Sequence, residues 1–272
     1  MKLKIKTFIK SIFYLLGLTF LLDKLVYFST KMKYRKANRN FRKEYPDFIL
    51  PPDYFLYETY KLNYKLYFED GKNTARELID WVEKYLPAGD LKILDWGCGV
   101  SRICRHLKNF VQQNTQIFGC DINSEMIKWN RINVPEIEYS HIDYMPPTNY
   151  ENDFFGFIYG ISIFTHIENH NQEKWFNEIC RILKKGGVFL FTTHGTNCFE
   201  NLLPFEKKEL EQFGSFTKLF GREGHRMMIT YNTKKDIEKK LADKFTVIEI
   251  YDDKEAIAKT GAQDLWIVKK IK

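Results

Sequence analysis

Residues 93–107, ILDWGCGVSRICRHL, constrain the fold more than any other stretch. An apolar run ends in an acid, the chain bends through Gly97 and Gly99, and a pattern with Ile103, Leu107 and Phe110 on one face follows. A short apolar run bounded by glycines reads as a buried strand, and the 3–4 spacing after it reads as a helix. Strand, tight turn and helix in that order belong to a parallel sheet, whose strands present their carboxyl ends to a ligand. The glycines let the backbone turn sharply and approach that ligand closely.

The alternation continues along the chain. QIFGCDI, IEYSHIDY, FGFIYGIS and GVFLFTTH read as further strands, and FTVIEIYDD and DLWIVKK as two last ones. Between them NTARELIDWVEKYL, SRICRHLKNFVQQ, SEMIKWNRIN, QEKWFNEICRILKKGG and TKKDIEKKL carry helical periodicity, with Ser124 the expected cap of the third. The expected fold is α/β: a doubly wound, mostly parallel seven-stranded sheet with an N-terminal helical extension. The connection KEAIAKTGAQ is short for a right-handed crossover, so the last two strands are expected to form an antiparallel C-terminal hairpin. Three parts follow: an arm over 1–43; a linker with Pro51-Pro52 and an aromatic helix ending near Gly71, over 44–71; and a main domain over 72–272. Within that domain 195–232 is an insert on the substrate side.

With 44% hydrophobic and 16% aromatic residues the chain can bury a real core, which excludes disorder for most of its length. Its net charge of +7 is unevenly placed. The first 43 residues hold twelve Lys or Arg against one acid, Asp23, leaving the rest mildly acidic. The partner such an arm calls for is an anionic surface. The stretch from Ser11 to Leu22 is uncharged but shorter than the roughly 20 residues a spanning helix needs, and no small-x-small cleavage site follows it. The arm is read as a shallow anchor on an anionic membrane, with a helix packed on the domain or on a second subunit as the alternative. Its basic run is interleaved with Tyr and Phe but carries no RNA-binding motif, so nucleic acid is not expected. The cysteines number five, with no CxxC, which points to free thiols in a reducing compartment: the cytoplasm, at the inner membrane face if the arm docks there.

The site is written in three acids. Asp95 closes the first strand, Asp121 the second and Asp143 the third. Asp121 is placed to take two hydrogen bonds from a ribose diol, and Asp143 to meet an adenine amino group. A dinucleotide site would show a third glycine where Arg102 stands, and its pyrophosphate would not be helped by Asp95. A sulfonium with an α-ammonium group would be. The bend therefore suits S-adenosylmethionine better than NAD.

ILDWGCGVSR, GCDINSEMI, SHIDYMPP, FGFIYGISIFTHI and ICRILKKGGVFLFTTHG together resemble, in order, the motifs of the class I S-adenosylmethionine-dependent methyltransferases. The resemblance covers roughly residues 72–272. It implies that Asp95, Gly97 and Gly99 contact the methionine part, Asp121 the ribose and Asp143 the adenine, with Ile122 packed on the adenine ring. Ser101 departs from the pattern, since many members have glycine there. IFTHI, TTHG and QDLWIVKK together resemble a bacterial branch associated with surface-polysaccharide loci.

Methyl transfer to an alcohol needs positioning and a general base, for which His is the natural residue. His166 and His194 follow the fourth and fifth strands, where the methyl group is expected, and Glu168 is placed to orient His166 or to start the next helix. The acceptor is expected under the 195–232 insert and the aromatic stretch YETYKLNYKLYF, acting as a lid. YGISIF stands where a base or glutamine N-methylase would carry an Asn/Asp-Pro-Pro-aromatic turn, and no Pro-Cys nucleophile or metal-spaced carboxylate cluster occurs. No metal is expected. These residues lead to O-methylation of a glycan, lipid-linked sugar or other small hydroxyl acceptor. The alternatives are an NAD-dependent oxidoreductase, which requires that the terminal hairpin be absent, and a non-catalytic cofactor-binding scaffold at a membrane.

Overall fold

The computed structural model describes residues 18–219, 224, 227–252 and 262–271. Seven strands form one sheet: β1 (Lys92–Trp96), β2 (Gln116–Asp121), β3 (Glu138–His141), β4 (Phe155–Gly160), β5 (Leu183–Thr193), β8 (Phe245–Tyr251) and β9 (Asp264–Lys270). Their order is β3-β2-β1-β4-β5-β9-β8. The first five run parallel, and β9 is antiparallel to both β5 and β8. The sheet is therefore the mostly parallel one expected, closed by an antiparallel hairpin. The dinucleotide alternative required that hairpin to be absent. β4 is buried at every position, as a strand covered on both faces must be.

Helices cover both faces. The α1 helix (Thr19–Glu44), α2 (Asp53–Thr59) and α3 (Tyr64–Tyr85) precede the sheet. Within it come α4 (Cys104–Leu107), α5 (Ser124–Asn133) and α6 (Asn169–Ile182), and later α7 (Pro204–Phe213) and α8 (Lys234–Leu241). Trp96, Phe164, Trp175 and Phe189 pack on one face of the sheet; Leu78, Ile79 and Trp81 of α3 fill the other.

Several elements differ in detail from their sequence reading. The helix read as ending at Gly71 and the one read from Asn73 are a single α3. Gly71 is a packing position: a Cβ there would sit 2.1 Å from the Arg102 carbonyl oxygen, so glycine lets α3 lie directly on the Gly97–Arg102 loop. Of the aromatics at 60, 64 and 68, Tyr60 lies outside the helices, while Tyr64 and Phe68 pack around Phe41 of α1. The helix expected over 101–113 contracts to α4, flanked by tight turns. Ser101 has φ of 61°, and His106, Asn109 and Phe110 bond three residues back instead of four. The cap of α5 is Asn123, whose side chain accepts from the Glu125 and Met126 amides; Ser124 is the first helical residue. The α6 helix ends at Ile182 and β5 begins at once, so Gly186-Gly187 lies inside the strand.

The insert between β5 and α8 has its own small core. A 3-10 turn (Thr196–Asn201) and α7 lead to a two-stranded sheet of β6 (Ser215–Leu219) and β7 (Met228–Asn232). Lys218 and Glu206 form a buried ion pair at 2.6 Å inside it, and Glu206 also accepts from the Leu203 amide. All five cysteines are free thiols.

Candidate active site

A cavity of about 650 Å³ opens at the carboxyl ends of β1, β2, β3 and β4. That is within the range of roughly 300–1,000 Å³ typical of small-molecule sites. Asp95, Gly97, Gly99, Asp121, Ile122 and Asp143 all line it, so every residue expected to meet the cofactor reaches one space. His166 lines it too; His194 does not.

The glycine loop forms the cavity floor and is held from several sides. The Gly99 amide donates to Asp121 Oδ2 at 2.9 Å, and its carbonyl accepts from buried Asn130 at 2.8 Å. The Tyr67 hydroxyl of α3 donates to the Val100 carbonyl at 2.7 Å. Gly97 and Gly99 have φ of 79° and 50°, a region that L side chains rarely adopt. Ser101 takes the same left-handed region without being glycine, and its Oγ lies 2.6 Å from the Tyr139 hydroxyl. The departure from the motif is thus absorbed by a buried hydrogen bond. A Cβ on Gly97 would lie 2.0 Å from Ile163 Cδ1, so Gly97→Ala is expected to destabilise the fold by about 1–3 kcal/mol. It should also weaken ligand binding. Thermal unfolding and a binding titration check both effects.

The three acids differ in surroundings. Asp95 is buried within β1, and burial pushes its carboxyl up to about 6. Asp121 is also raised by burial, opposed by the backbone amides of Asn123 and Gly99 that its two oxygens accept. A carboxylate has about four lone-pair sites, so two amides orient Asp121 and leave capacity for a diol. Asp143, past the end of β3, is exposed at the rim. Ile122 is 40% exposed on the same wall. The backbone left bare by two glycines, with carboxylates at three strand ends, fits a ligand carrying an ammonium or sulfonium charge, a ribose diol and an adenine amino group.

His166 closes the opposite wall. Its Nδ1 lies 2.7 Å from the Met228 carbonyl oxygen of β7. A carbonyl only accepts, so Nδ1 is the donor and the neutral ring carries its lone pair on Nε2. His194 donates from Nδ1 to the Thr230 carbonyl at 3.3 Å and packs on the Tyr231 ring. Burial, then the nearby His166, push its pKa down to about 4. The insert thus takes both histidines by their Nδ1 atoms, and only His166 reaches the cavity. Glu168 precedes α6, with its carboxylate 3.2 Å from His170. His106 is buried, and its pKa is lowered to about 4, first by burial. His225 lies outside the described residues.

Part of the wall comes from residues that the sequence did not single out individually. Glu58 and Thr59 of α2 line the mouth, and Thr59 Cγ2 would sit 2.8 Å from a Cβ on Gly99. The aromatic stretch therefore contributes its polar turn, not its rings. The signal available was Gly71, which brings α3 onto the loop and α2 with it. His141, read only as a strand residue, also lines the cavity and holds the Ile122 carbonyl at 3.1 Å.

Residues 93–187 match a family described as a methyltransferase domain. Among solved structures, a SAM-dependent methyltransferase of Methanosarcina mazei covers 70% of this chain and 97% of its own, at 18% identity and a TM-score of 0.54. A putative S-adenosylmethionine-dependent methyltransferase of Listeria monocytogenes covers 74% and 100%, at 15% identity and 0.52. The 1,6-didemethyltoxoflavin-N1-methyltransferase of Burkholderia thailandensis, solved with S-adenosylhomocysteine, covers 75% and 80%, at 12% identity and 0.51. At such identities the likeness is one of fold. An uncharacterized protein of Methanocaldococcus jannaschii is 31% identical over 113 residues, 41% of this chain and 39% of that protein. The match thus spans well under half of that relative's length. Over residues 93–187 the chain is similar to a methyltransferase domain, and its fold is the one that the solved S-adenosylmethionine-dependent methyltransferases have.

Proposed function

We propose that the chain transfers a methyl group from S-adenosylmethionine to a hydroxyl of a glycan, a lipid-linked sugar or another small acceptor. The observation that supports this reading most is His166, whose ring is held by the Met228 carbonyl in the tautomer a general base needs, on the wall of the cavity that holds the three acids. When bound, the cofactor supplies an electrophilic methyl group on a cationic sulfur. Asp95 and the bare backbone of Gly97 and Gly99 hold its amino-acid end, Asp121 its ribose, and Asp143 with Ile122 its adenine. His166 takes the proton of the acceptor hydroxyl at Nε2, which makes the oxygen the stronger nucleophile. Nδ1 keeps its hydrogen bond to Met228 throughout, and that carbonyl favours the resulting imidazolium. The resemblance of IFTHI, TTHG and QDLWIVKK to the polysaccharide-associated branch favours a sugar acceptor.

The test is transfer of label from methyl-labelled S-adenosylmethionine into a fractionated lysate of the source cells, with Asp121→Ala as control. Label is expected in the glycolipid or polysaccharide fraction and absent with the variant. Label confined to RNA or protein would overturn the hydroxyl-acceptor reading.

A further inference from the structure

The α1 helix has two unlike faces. One is locked to the domain: buried Phe41 packs among Tyr45, Phe48, Tyr64 and Phe68, and buried Asn38 bonds the backbone of Leu62 and Tyr64. Tyr27, on the same side, packs edge-on against Tyr54 and Tyr57 of α2, and Lys31 pairs with Asp53 at 2.8 Å.

The other face points away. Leu18, Leu21, Leu25, Phe28 and Met32 follow at alternating spacings of three and four, which places them in one stripe along the helix. All five are exposed, Leu25 at 56%, Phe28 at 59% and Met32 at 63%. Beyond the stripe, three or four residues at a time, come Arg35, Lys36, Arg39 and Lys43, also exposed and in no ion pair among the described residues, while Arg42 turns to the Tyr64 hydroxyl. The acids of α1 are Asp23 and Glu44, and Asp23 accepts from the Tyr57 hydroxyl on the domain side. The outer face therefore carries an apolar half and a cationic half and no acid.

We propose that this outer face docks on an anionic lipid surface. Apolar side chains enter the acyl boundary, while the guanidinium and ammonium groups remain among the headgroups. Charge decides between this partner and a second copy of the chain. Two such faces in parallel register would bring cations against cations, and in antiparallel register would set cations on leucines. A headgroup layer over hydrocarbon complements both halves at once. No helix among the described residues is long and apolar enough to cross a membrane. The inference goes beyond the methyl-transfer reading and does not depend on it.

The test is flotation of the full-length protein with vesicles of phosphatidylcholine alone or mixed with phosphatidylglycerol. The protein is expected to float with the anionic vesicles only and to be released by high salt. Two double variants, Leu25→Glu with Phe28→Glu and Arg35→Glu with Arg39→Glu, should each lower binding roughly tenfold or more. Both should keep the parent's far-ultraviolet dichroism, since their side chains stand clear of the domain. Failure of the parent to float, or variants that float like it, would overturn the proposal. So would a soluble dimer that Leu25→Glu with Phe28→Glu breaks, or capture on RNA with none on vesicles. Affinity for S-adenosylmethionine, measured beside these, reports on the methyl-transfer reading separately.

Discussion

His166→Ala is expected to lower kcat by roughly 10²–10⁴-fold, the usual worth of a general base, while affinity for S-adenosylmethionine stays within about twofold. Under the proposed mechanism the loss falls on kcat, because the imidazole acts on the acceptor proton in the transition state and is assigned no cofactor contact. His166→Gln separates chemistry from architecture. A glutamine amide can still donate toward the Met228 carbonyl but offers no basic lone pair, so it should be as inactive as alanine. Recovery with glutamine would reduce His166 to a strut between β4 and β7. His194→Ala should cost far less, since that ring stands outside the cavity lining, behind its hydrogen bond to Thr230. Steady-state kinetics on the labelled acceptor fraction decide among these outcomes.

The second large effect concerns Asp95. Burial holds its carboxyl near 6, above the ordinary 3.8, so the folded chain takes the proton more readily than the unfolded one. The stabilising effect of protonation is complete below about pH 4 and is lost as pH rises through about 6. At neutral pH the ionised group therefore costs the fold up to about 3 kcal/mol. Asp95→Asn should remove that cost and raise the melting temperature, by roughly 2–4 °C per kcal/mol recovered. The same change should weaken S-adenosylmethionine binding roughly 10–100-fold, because a cationic ligand loses its charged partner. For the parent, affinity should fall roughly tenfold between pH 7 and pH 5 as Asp95 protonates, and the variant should lose that dependence. Melting curves and binding titrations across pH read both halves. A stabilised variant that binds as well as the parent would remove Asp95 from the site.

What the sequence disclosed and what it hid divide along a physical line. Asp95 and Asp121 were legible because each closes a short apolar run, and Asp143 because it follows an alternating one; these runs alternate with helical patterns that dictate a parallel sheet. All three reach one cavity. The antiparallel closure by β9 was legible from a connection too short to cross over. Hidden were features set by contacts between distant segments. Gly71 looks like a helix end, and only the approach of the Arg102 carbonyl explains it as a position inside α3. Thr59 reaches the mouth because α2 follows α3 onto the loop. His194 directly follows β5 and His166 ends the turn after β4, and what separates them is the insert, whose β7 takes each ring by a different carbonyl. No local pattern encodes that choice. Ser101 shows the converse: a residue that breaks the motif by type keeps it by backbone, with φ of 61° and Tyr139 as partner.

The most direct measurement is a calorimetric titration of the full-length protein with S-adenosylmethionine and, separately, with NAD. The expected result is saturable binding of S-adenosylmethionine at one site, abolished by Asp121→Ala, with no heat from NAD. Binding of NAD in place of S-adenosylmethionine, or binding of S-adenosylmethionine undiminished by Asp121→Ala, would contradict the assignment of the cavity.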